Sequence, residues 1–200
     1  MSTFPEMVTI VPEGEHGIAK VEHFDVSKDA SRFSSLRGAM GYVPEGRYAK
    51  LEVNGCLVMS DTSMEHRTNW GVVRAARGNV LIAGLGLDMI LHPILAKPEV
   101  LSVTVVEKYP DVIALIGPTV QHGKLTIVEG DIYDWKPAKG TKYDVLYFDI
   151  WADQSTDDLE DMRKLHCRFR PYKIKDGWMD SWRRDFLRDE KRRHKNERWY

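Results

Sequence analysis

The sequence has few features that would place the protein outside the ordinary globular class. It contains two cysteines in 200 residues, Cys56 and Cys167, and neither stands at metal-ligand spacing from a histidine or another cysteine. A disulfide framework or a zinc site therefore has no basis. No apolar run approaches the roughly 20 residues of a membrane span, and the first residues lack the basic and apolar regions of a signal peptide. We expect a cytoplasmic protein that does not enter membranes.

The net charge is also close to zero, because the sequence contains 29 Lys or Arg residues and 30 Asp or Glu residues. A general attraction to polyanions is not expected of such a chain. The charge is unevenly distributed, however, since residues 163–200 contain fourteen Lys or Arg against six Asp or Glu. A basic tail could bind nucleic-acid phosphates, but the solvated face of a helix explains it more simply, and a nucleic-acid partner is not favoured.

Four short apolar runs follow one another between Asn79 and Asp149, and each ends in glycine or a carboxylate. They read NVLIAGLG, VTVVEKYP, LTIVEGD and YDVLYFD. Continuous β-branched runs are typical of strands that are buried on both faces of a parallel sheet. Open α/β sheets bind ligands at the carboxyl ends of such strands. We therefore predict an α/β fold with a nucleotide-binding sheet.

The regions on either side of these runs differ from them. Before them, RYAKLEV and CLVMS flank Asn54-Gly55 and predict a β-hairpin, while MVTIV and IAKVEHF suggest a second one. After them, apolar residues recur at helical intervals on both sides of Arg170-Pro171, which predicts two amphipathic helices and no further strong strand. We expect three regions: N-terminal β-hairpins over residues 1–62, a nucleotide-binding domain over residues 63–153, and a basic helical extension over residues 154–200.

Candidate ligand-binding residues lie at the ends of the first three runs. Gly84 and Gly86 allow a tight turn and a close approach of the backbone to a ligand. Glu107 follows Gly84 by twenty-three residues, and its carboxylate could accept hydrogen bonds from a ribose diol; a solvated strand end is the alternative. Asp131 could accept a hydrogen bond from an adenine amino group, with Ile132 covering the ring, or it could cap a following helix.

The fourth run adds a second set of candidates. Asp149 ends this run, and Trp151 and Asp153 follow it closely. Carboxylates on neighbouring strand ends raise one another's pKa or attract a cation, so the predicted crevice suits a cationic ligand or substrate. Trp151 could form a wall of the acceptor site, or it could be buried against the C-terminal helices.

Together the four runs resemble class I S-adenosylmethionine (SAM)-dependent methyltransferases, and most closely the spermidine-synthase branch. NVLIAGLGLDMIL resembles the glycine motif of that branch, SVTVVEKYPDVIAL its ribose-binding strand, VEGDIYDW its adenine-contact segment and YDVLYFDIWAD its catalytic strand. The hairpin LEVNGCLVMSD is similar as well. The resemblance implies SAM as the cofactor, Gly84, Gly86, Glu107 and Asp131 as cofactor-binding residues, and a place near the reacting centre for Asp149.

The chain departs from the spermidine-synthase branch at several positions. Val58 stands where those aminopropyltransferases have a glutamine, Arg67-Thr68 where they have a Tyr-Gln pair, and no proline follows Asp153. Polyamine chemistry is therefore not favoured. The resemblance leaves the last three strands of the family without a counterpart, which implies a Rossmann-like sheet truncated after its fourth strand. Its open edge would need to be covered, and we predict a homo-oligomer that uses the N-terminal hairpins.

These observations favour a SAM-dependent methyltransferase that acts on an unidentified acceptor, a small molecule or another group. Asp149 or Asp153 would orient or deprotonate the acceptor, and alignment of the reacting atoms would supply most of the rate. Two alternatives stay open. One is an aminopropyltransferase like spermidine synthase, and the other is a non-catalytic SAM-binding module whose basic tail holds a partner.

Overall fold

A computed structural model of the protein describes residues 4–35, 42–152 and 155–197. The strands are β1 (Gly14–His16), β2 (Ala19–Val26), β3 (Gly46–Val53), β4 (Cys56–Ser60), β5 (Gly78–Ala83), β6 (Val100–Glu107), β7 (Leu125–Glu129), β8 (Tyr143–Phe148) and β9 (Lys173–Ser181). The helices are α1 (Lys28–Ser35), α2 (Ser63–Ala75), α3 (Leu91–Leu95), α4 (Pro110–Ile116), α5 (Asp158–Phe169) and α6 (Arg184–Glu197). Across these described ranges, no helix combines the length and the apolar character needed to span a membrane.

The first sheet is antiparallel, with the strand order β1-β2-β3-β4. Asn54 and Gly55 connect β3 to β4 with φ angles of 53° and 73°, the positive values that a type I′ turn requires, which confirms this predicted hairpin. The strand predicted over MVTIV is wrong, because Met7–Thr9 form a short 3-10 helix. The Asp61 carboxylate accepts the Met7 N–H at 2.9 Å, and such tertiary contacts override local strand propensity.

The second sheet is parallel and has the strand order β7-β6-β5-β8-β9. All four predicted runs form strands, as β5, β6, β7 and β8. The order reverses at β5, since the chain first builds β6 and β7 on one side of β5 and later β8 and β9 on the other. In open α/β sheets a ligand crevice forms at the point of reversal. The predicted α/β, Rossmann-like fold is therefore confirmed.

The sheet does not end at its fourth strand, and the chain after residue 154 is not helical throughout. β9 pairs in parallel with β8, so the expected truncation after the fourth strand is corrected to a sheet of five strands. Two helices are present, as α5 and α6, but the second begins only at Arg184. Of the residues that recur at helical intervals after Arg170-Pro171, which are Trp178, Trp182 and Phe186, Trp178 lies in β9 and Trp182 precedes α6. The pairing explains the error: Tyr143 faces Lys173 whereas Val145 faces Trp178, and this irregular register breaks the two-residue alternation that marks a strand.

Apolar side chains cover both faces of the second sheet. On one face, Val80 and Ile82 of β5 belong to a buried cluster that also contains Leu51 of β3 and residues of α2. On the other face, Leu81 and Ala83 belong to a cluster that contains residues of α5. This alternation follows the two-residue period of a strand. The shared cluster holds the first sheet against the second, beside the ends of the parallel strands.

Candidate functional site

The ends of β5, β6, β7 and β8 open onto one cavity of about 410 Å³, and the β3–β4 hairpin forms another wall of it. Of the eight residues predicted from the sequence, seven line this cavity: Gly84, Gly86, Glu107, Asp131, Ile132, Asp149 and Trp151. The eighth, Asp153, lies outside the described residues. The fold therefore brings candidates from four separate strand ends to one place.

The turn after β5 has a backbone conformation that favours glycine. Its φ angle is 95° at Gly84 and 54° at Gly86, values that side-chain-bearing residues rarely adopt. A Cβ atom at Gly84 would overlap the backbone oxygen of Asp149. The two strand ends are joined here, since the Asp149 N–H donates to the Ala83 carbonyl at 2.9 Å. Glycine at position 84 thus lets β5 and β8 meet at the cavity.

Two backbone N–H groups fix the carboxylate of Glu107. Leu85 donates to Oε2 at 2.8 Å, and Tyr109 donates to Oε1 at 2.9 Å. Glu107 is 6% exposed, so it is not a solvated strand end. A carboxylate oxygen can accept more than one hydrogen bond, and this one borders the cavity. The arrangement can present a hydrogen-bond acceptor to a hydroxyl group inside it.

Asp131 lies at the next strand end along the sheet and has two partners. Its Oδ1 accepts the Tyr133 N–H at 2.9 Å, and its Oδ2 lies 3.0 Å from the Lys108 ammonium. These contacts, the backbone one first, hold the pKa of Asp131 below its ordinary value. A turn follows Asp131, not a helix, so the carboxylate caps this turn and not the start of a helix. Ile132 is buried beside it and also lines the cavity.

Asp149 and Trp151 line the part of the cavity that follows β8. Burial raises the pKa of Asp149 to about 7, so this carboxyl group changes its protonation near neutral pH. A group of that kind can take a proton from a bound acceptor. Trp151 is partly exposed, and it packs on the cluster that contains α5. Both alternatives for Trp151, a cavity wall and a packed side chain, therefore describe it.

The sequence predicts the β3–β4 hairpin but not its contribution to the site. Val53, Val58 and Met59 line the cavity and give it an apolar wall. Met59 also covers the glycine turn, because its Sδ accepts the Leu87 N–H at 3.3 Å. Twenty-eight residues separate the two partners, and no local pattern marks their contact.

A buried polar group on α2 also has no signal in the sequence. Glu65 of α2 is 7% exposed, and its pKa is raised to about 8, first by burial and then by the charge of Asp149. Asn69, one helical turn further on, donates to the Glu65 carboxylate at 3.4 Å and accepts the Tyr147 O–H at 2.9 Å. Glu and Asn at this spacing are also ordinary on exposed helix faces. Their burial follows from the packing of α2 against β8.

Comparison with known proteins gives matches at the level of structure. No protein-family model matches the chain, and no curated protein matches it. A Streptococcus mutans protein, provisionally described as a SAM-dependent methyltransferase, is 14% identical with a TM-score of 0.50, over 68% of this chain and 38% of that chain. SAM-bound CalS10, an amino pentose methyltransferase of Micromonospora echinaspora, is 18% identical with a TM-score of 0.43, over 58% and 50%. Spermidine synthase from Thermotoga maritima is 12% identical with a TM-score of 0.48, over 86% and 56%.

The chain spans between 38% and 56% of the length of these three proteins. Likeness at such low identity concerns the fold alone, because one fold serves many functions. The parallel strand order, with its reversal at β5, and the similarity to the Streptococcus mutans structure lead to the same conclusion. The protein has a Rossmann-like α/β fold, which is similar to that of the Streptococcus mutans structure.

Proposed function

We propose that the protein is a SAM-dependent methyltransferase acting on an acceptor still to be identified. The position of Glu107 carries this proposal. Its carboxylate is fixed by the Leu85 N–H of the glycine turn and borders the same cavity as Asp131 and Asp149. A carboxylate at the end of the second strand, behind a glycine turn, is the arrangement by which such sheets accept ribose hydroxyls.

The residues along the strand ends fit an adenosyl cofactor. Glu107 would accept the ribose hydroxyls, Asp131 would accept a hydrogen bond from the adenine amino group, and Ile132 would cover one face of the adenine ring. The open backbone at Gly84 and Gly86 would allow the ligand to approach closely. SAM, when bound, supplies a methyl group on a positively charged sulfur.

Asp149 is the group of this chain that is best suited to act on an acceptor. It borders the cavity at the end of the strand next to β5. Because its pKa is raised to about 7 by burial, it is partly ionised at neutral pH and can accept a proton. The flat face of Trp151 would hold the acceptor in line with the cofactor. Alignment of the two reactants would supply most of the rate.

The hairpin wall favours methyl transfer over aminopropyl transfer. Val58 lines the cavity at the position where the resembled spermidine-synthase branch has a glutamine, and it offers no hydrogen bond. Incubation with decarboxylated SAM and putrescine separates the two activities. We expect no spermidine to form, and spermidine formation would replace this proposal by the aminopropyltransferase.

Labelled SAM tests the proposed activity directly. The protein is incubated with methyl-labelled SAM and a cell extract, and labelled products are identified by mass spectrometry. We expect a labelled acceptor with the wild type and at least about tenfold less of it with Asp149→Asn, a typical loss for a general base. Calorimetry should show that this variant still binds SAM. Failure of the wild type to bind both SAM and S-adenosylhomocysteine would refute the proposal.

A further inference from the structure

Glu65 is a buried carboxyl group that does not take up its usual role in a helix. It is the third residue of α2, and the segment Thr62 to Glu65 has the T-x-x-E pattern of a capping box. The N-cap residue nevertheless makes no side-chain hydrogen bond to the helix end. Glu65 is 7% exposed, and its carboxylate is hydrogen-bonded to Asn69 at 3.4 Å. Its side chain is therefore turned into the protein.

Glu65 belongs to a hydrogen-bonded group of side chains that reaches the strand ending at Asp149. The charge of Asp149 disfavours ionisation of Glu65, while Arg183, between β9 and α6, favours it. Asn69 adds a structural link, because it bonds to both Glu65 and Tyr147, and Tyr147 precedes Asp149 by two residues on β8. Asp149 lines the cavity. A charge placed in the cavity therefore acts on Asp149 directly, and on Glu65 through this group of linked side chains.

Arg183 does not neutralise Glu65 by direct pairing. Within the described part of the chain, Glu65 forms no ion pair of 4 Å or less with it. The Arg183 guanidinium lies 4.1 Å from the centre of the Phe186 ring, and its Nε atom is buried without a hydrogen-bond partner. Two further charged groups act on the neighbours of Glu65: the charge of Asp180 raises the pKa of Tyr147, and the charge of Glu190 favours the charged form of Arg183. Among the residues that the structure describes, no Lys or Arg side chain therefore pairs directly with Glu65 or Asp149.

We propose that Glu65 and Asp149 form a coupled proton store that distinguishes the cationic cofactor SAM from its neutral product S-adenosylhomocysteine. This inference rests on the proposed function. Two carboxyl groups in one buried region resist ionising together unless a cation is near. With a sulfonium in the cavity, both carboxylates are stabilised, and Glu65 releases its proton to solvent. Once the methyl group has been transferred, the sulfur is neutral and Asp149 holds the proton taken from the acceptor, so the pair carries one proton again without uptake from solvent.

The proton store would favour turnover. When both Glu65 and Asp149 are ionised, they attract the positive sulfonium of SAM. The product has a neutral sulfur, so it gains no such attraction and is held more weakly. Binding of SAM should therefore be coupled to proton release, and binding of S-adenosylhomocysteine much less so. Glu65 would act through Asp149 and the field in the cavity, so it is a positioning residue that need not touch either ligand.

Calorimetric titrations in two buffers with different ionisation enthalpies measure this proton release. At about pH 7.5 we expect the wild type to release more than about half a proton for each SAM bound, and at most about half that amount for S-adenosylhomocysteine. In Glu65→Gln, which keeps the shape of the protonated side chain, the release with SAM should fall at least about twofold. The difference in proton release between SAM and S-adenosylhomocysteine should become smaller in this variant by the same amount.

Glu160→Gln is the matched control, because it makes the same chemical change on the exposed surface of α5, where Glu160 pairs with Arg163. It should release as many protons as the wild type. The comparison of the two ligands on the wild type needs no variant, so it stands even if Glu65→Gln does not fold. Equal proton release for both ligands on the wild type, or unchanged release in a folded Glu65→Gln, would overturn the inference and leave the proposed function intact. Failure of both ligands to bind would refute the proposed function itself.

Discussion

The carboxylate of Glu107 reaches from the end of β6 to the turn after β5, where its Oε2 accepts the N–H of Leu85 at 2.8 Å. The acidic residue and the glycine turn therefore form one structural unit. A buried N–H that loses its partner costs about 1–3 kcal/mol. Changes to either part of this unit should affect both folding and the binding of ligands in the cavity.

The glycine turn can be tested by adding one methyl group. Gly84→Ala should be destabilised by more than about 3 kcal/mol, because the new Cβ would overlap the Asp149 backbone in a conformation that already disfavours alanine. Gly86→Ala should cost less, since its Cβ would meet the end of the flexible Met59 side chain. Urea unfolding measures both changes.

Gly71→Ala provides the control for this comparison. Gly71 lies within α2, and a Cβ there would have open space around it. We expect this variant to be stabilised by about 0.5–1 kcal/mol, the difference in helix propensity between the two residues. A Gly84→Ala protein as stable as Gly71→Ala would contradict the close approach of β5 and β8.

The raised pKa of Asp149 should change how stability depends on pH. Its pKa is about 7 in the folded protein and about 4 in an unfolded chain, so the folded state binds the proton more tightly. Stability from this group is therefore lost as the pH rises from about 4 to about 7. Asp149→Asn should avoid this loss, and near pH 8 it should gain up to about 4 kcal/mol relative to the wild type. Urea unfolding curves for both proteins at acid and alkaline pH measure the gain, and parallel pH profiles would contradict it.

The two partners of the Lys108–Asp131 ion pair should have different roles, with Asp131 contributing to ligand binding and Lys108 contributing little to stability. Asp131→Asn removes the proposed acceptor for the adenine amino group and should weaken SAM binding about tenfold. Lys108→Met should leave stability nearly unchanged, because the lysine is largely exposed and exposed ion pairs contribute little. Calorimetric titration with adenosine as a second ligand should also show weaker binding by Asp131→Asn than by the wild type. Equal affinities in Asp131→Asn and the wild type would remove Asp131 from the site.

The central strands were predictable because burial on both faces leaves a continuous apolar run in the sequence. The ends of those runs also indicated Gly84, Glu107, Asp131 and Asp149. β9 was not predictable in the same way, since residues 174–177 lie opposite a single position of β8 and interrupt the alternation. Met7–Thr9 form a 3-10 helix despite their β-branched neighbours, because the Asp61 carboxylate holds them from another part of the chain.

The parts of the site that the sequence did not indicate depend on packing between distant elements. Glu65 has the residue type and spacing of an ordinary helix start, and the contact of α2 with β8 is what buries it. Met59 belongs to an ordinary hairpin strand, and its contact with Leu87 exists because the first sheet packs beside the glycine turn. Local patterns report local structure, whereas these roles arise only in the folded protein.

Calorimetric titration of SAM into the wild type, Glu107→Gln and Glu129→Gln tests the central claim most directly. Glu129 is the matched control, because it pairs with Glu107 in the sheet but is exposed at the end of β7. We predict that the wild type and Glu129→Gln bind SAM with the same Kd, and that Glu107→Gln, still folded, binds at least about tenfold more weakly. Undiminished binding by Glu107→Gln, or no binding by the wild type, would contradict the claim that this cavity holds the adenosyl cofactor.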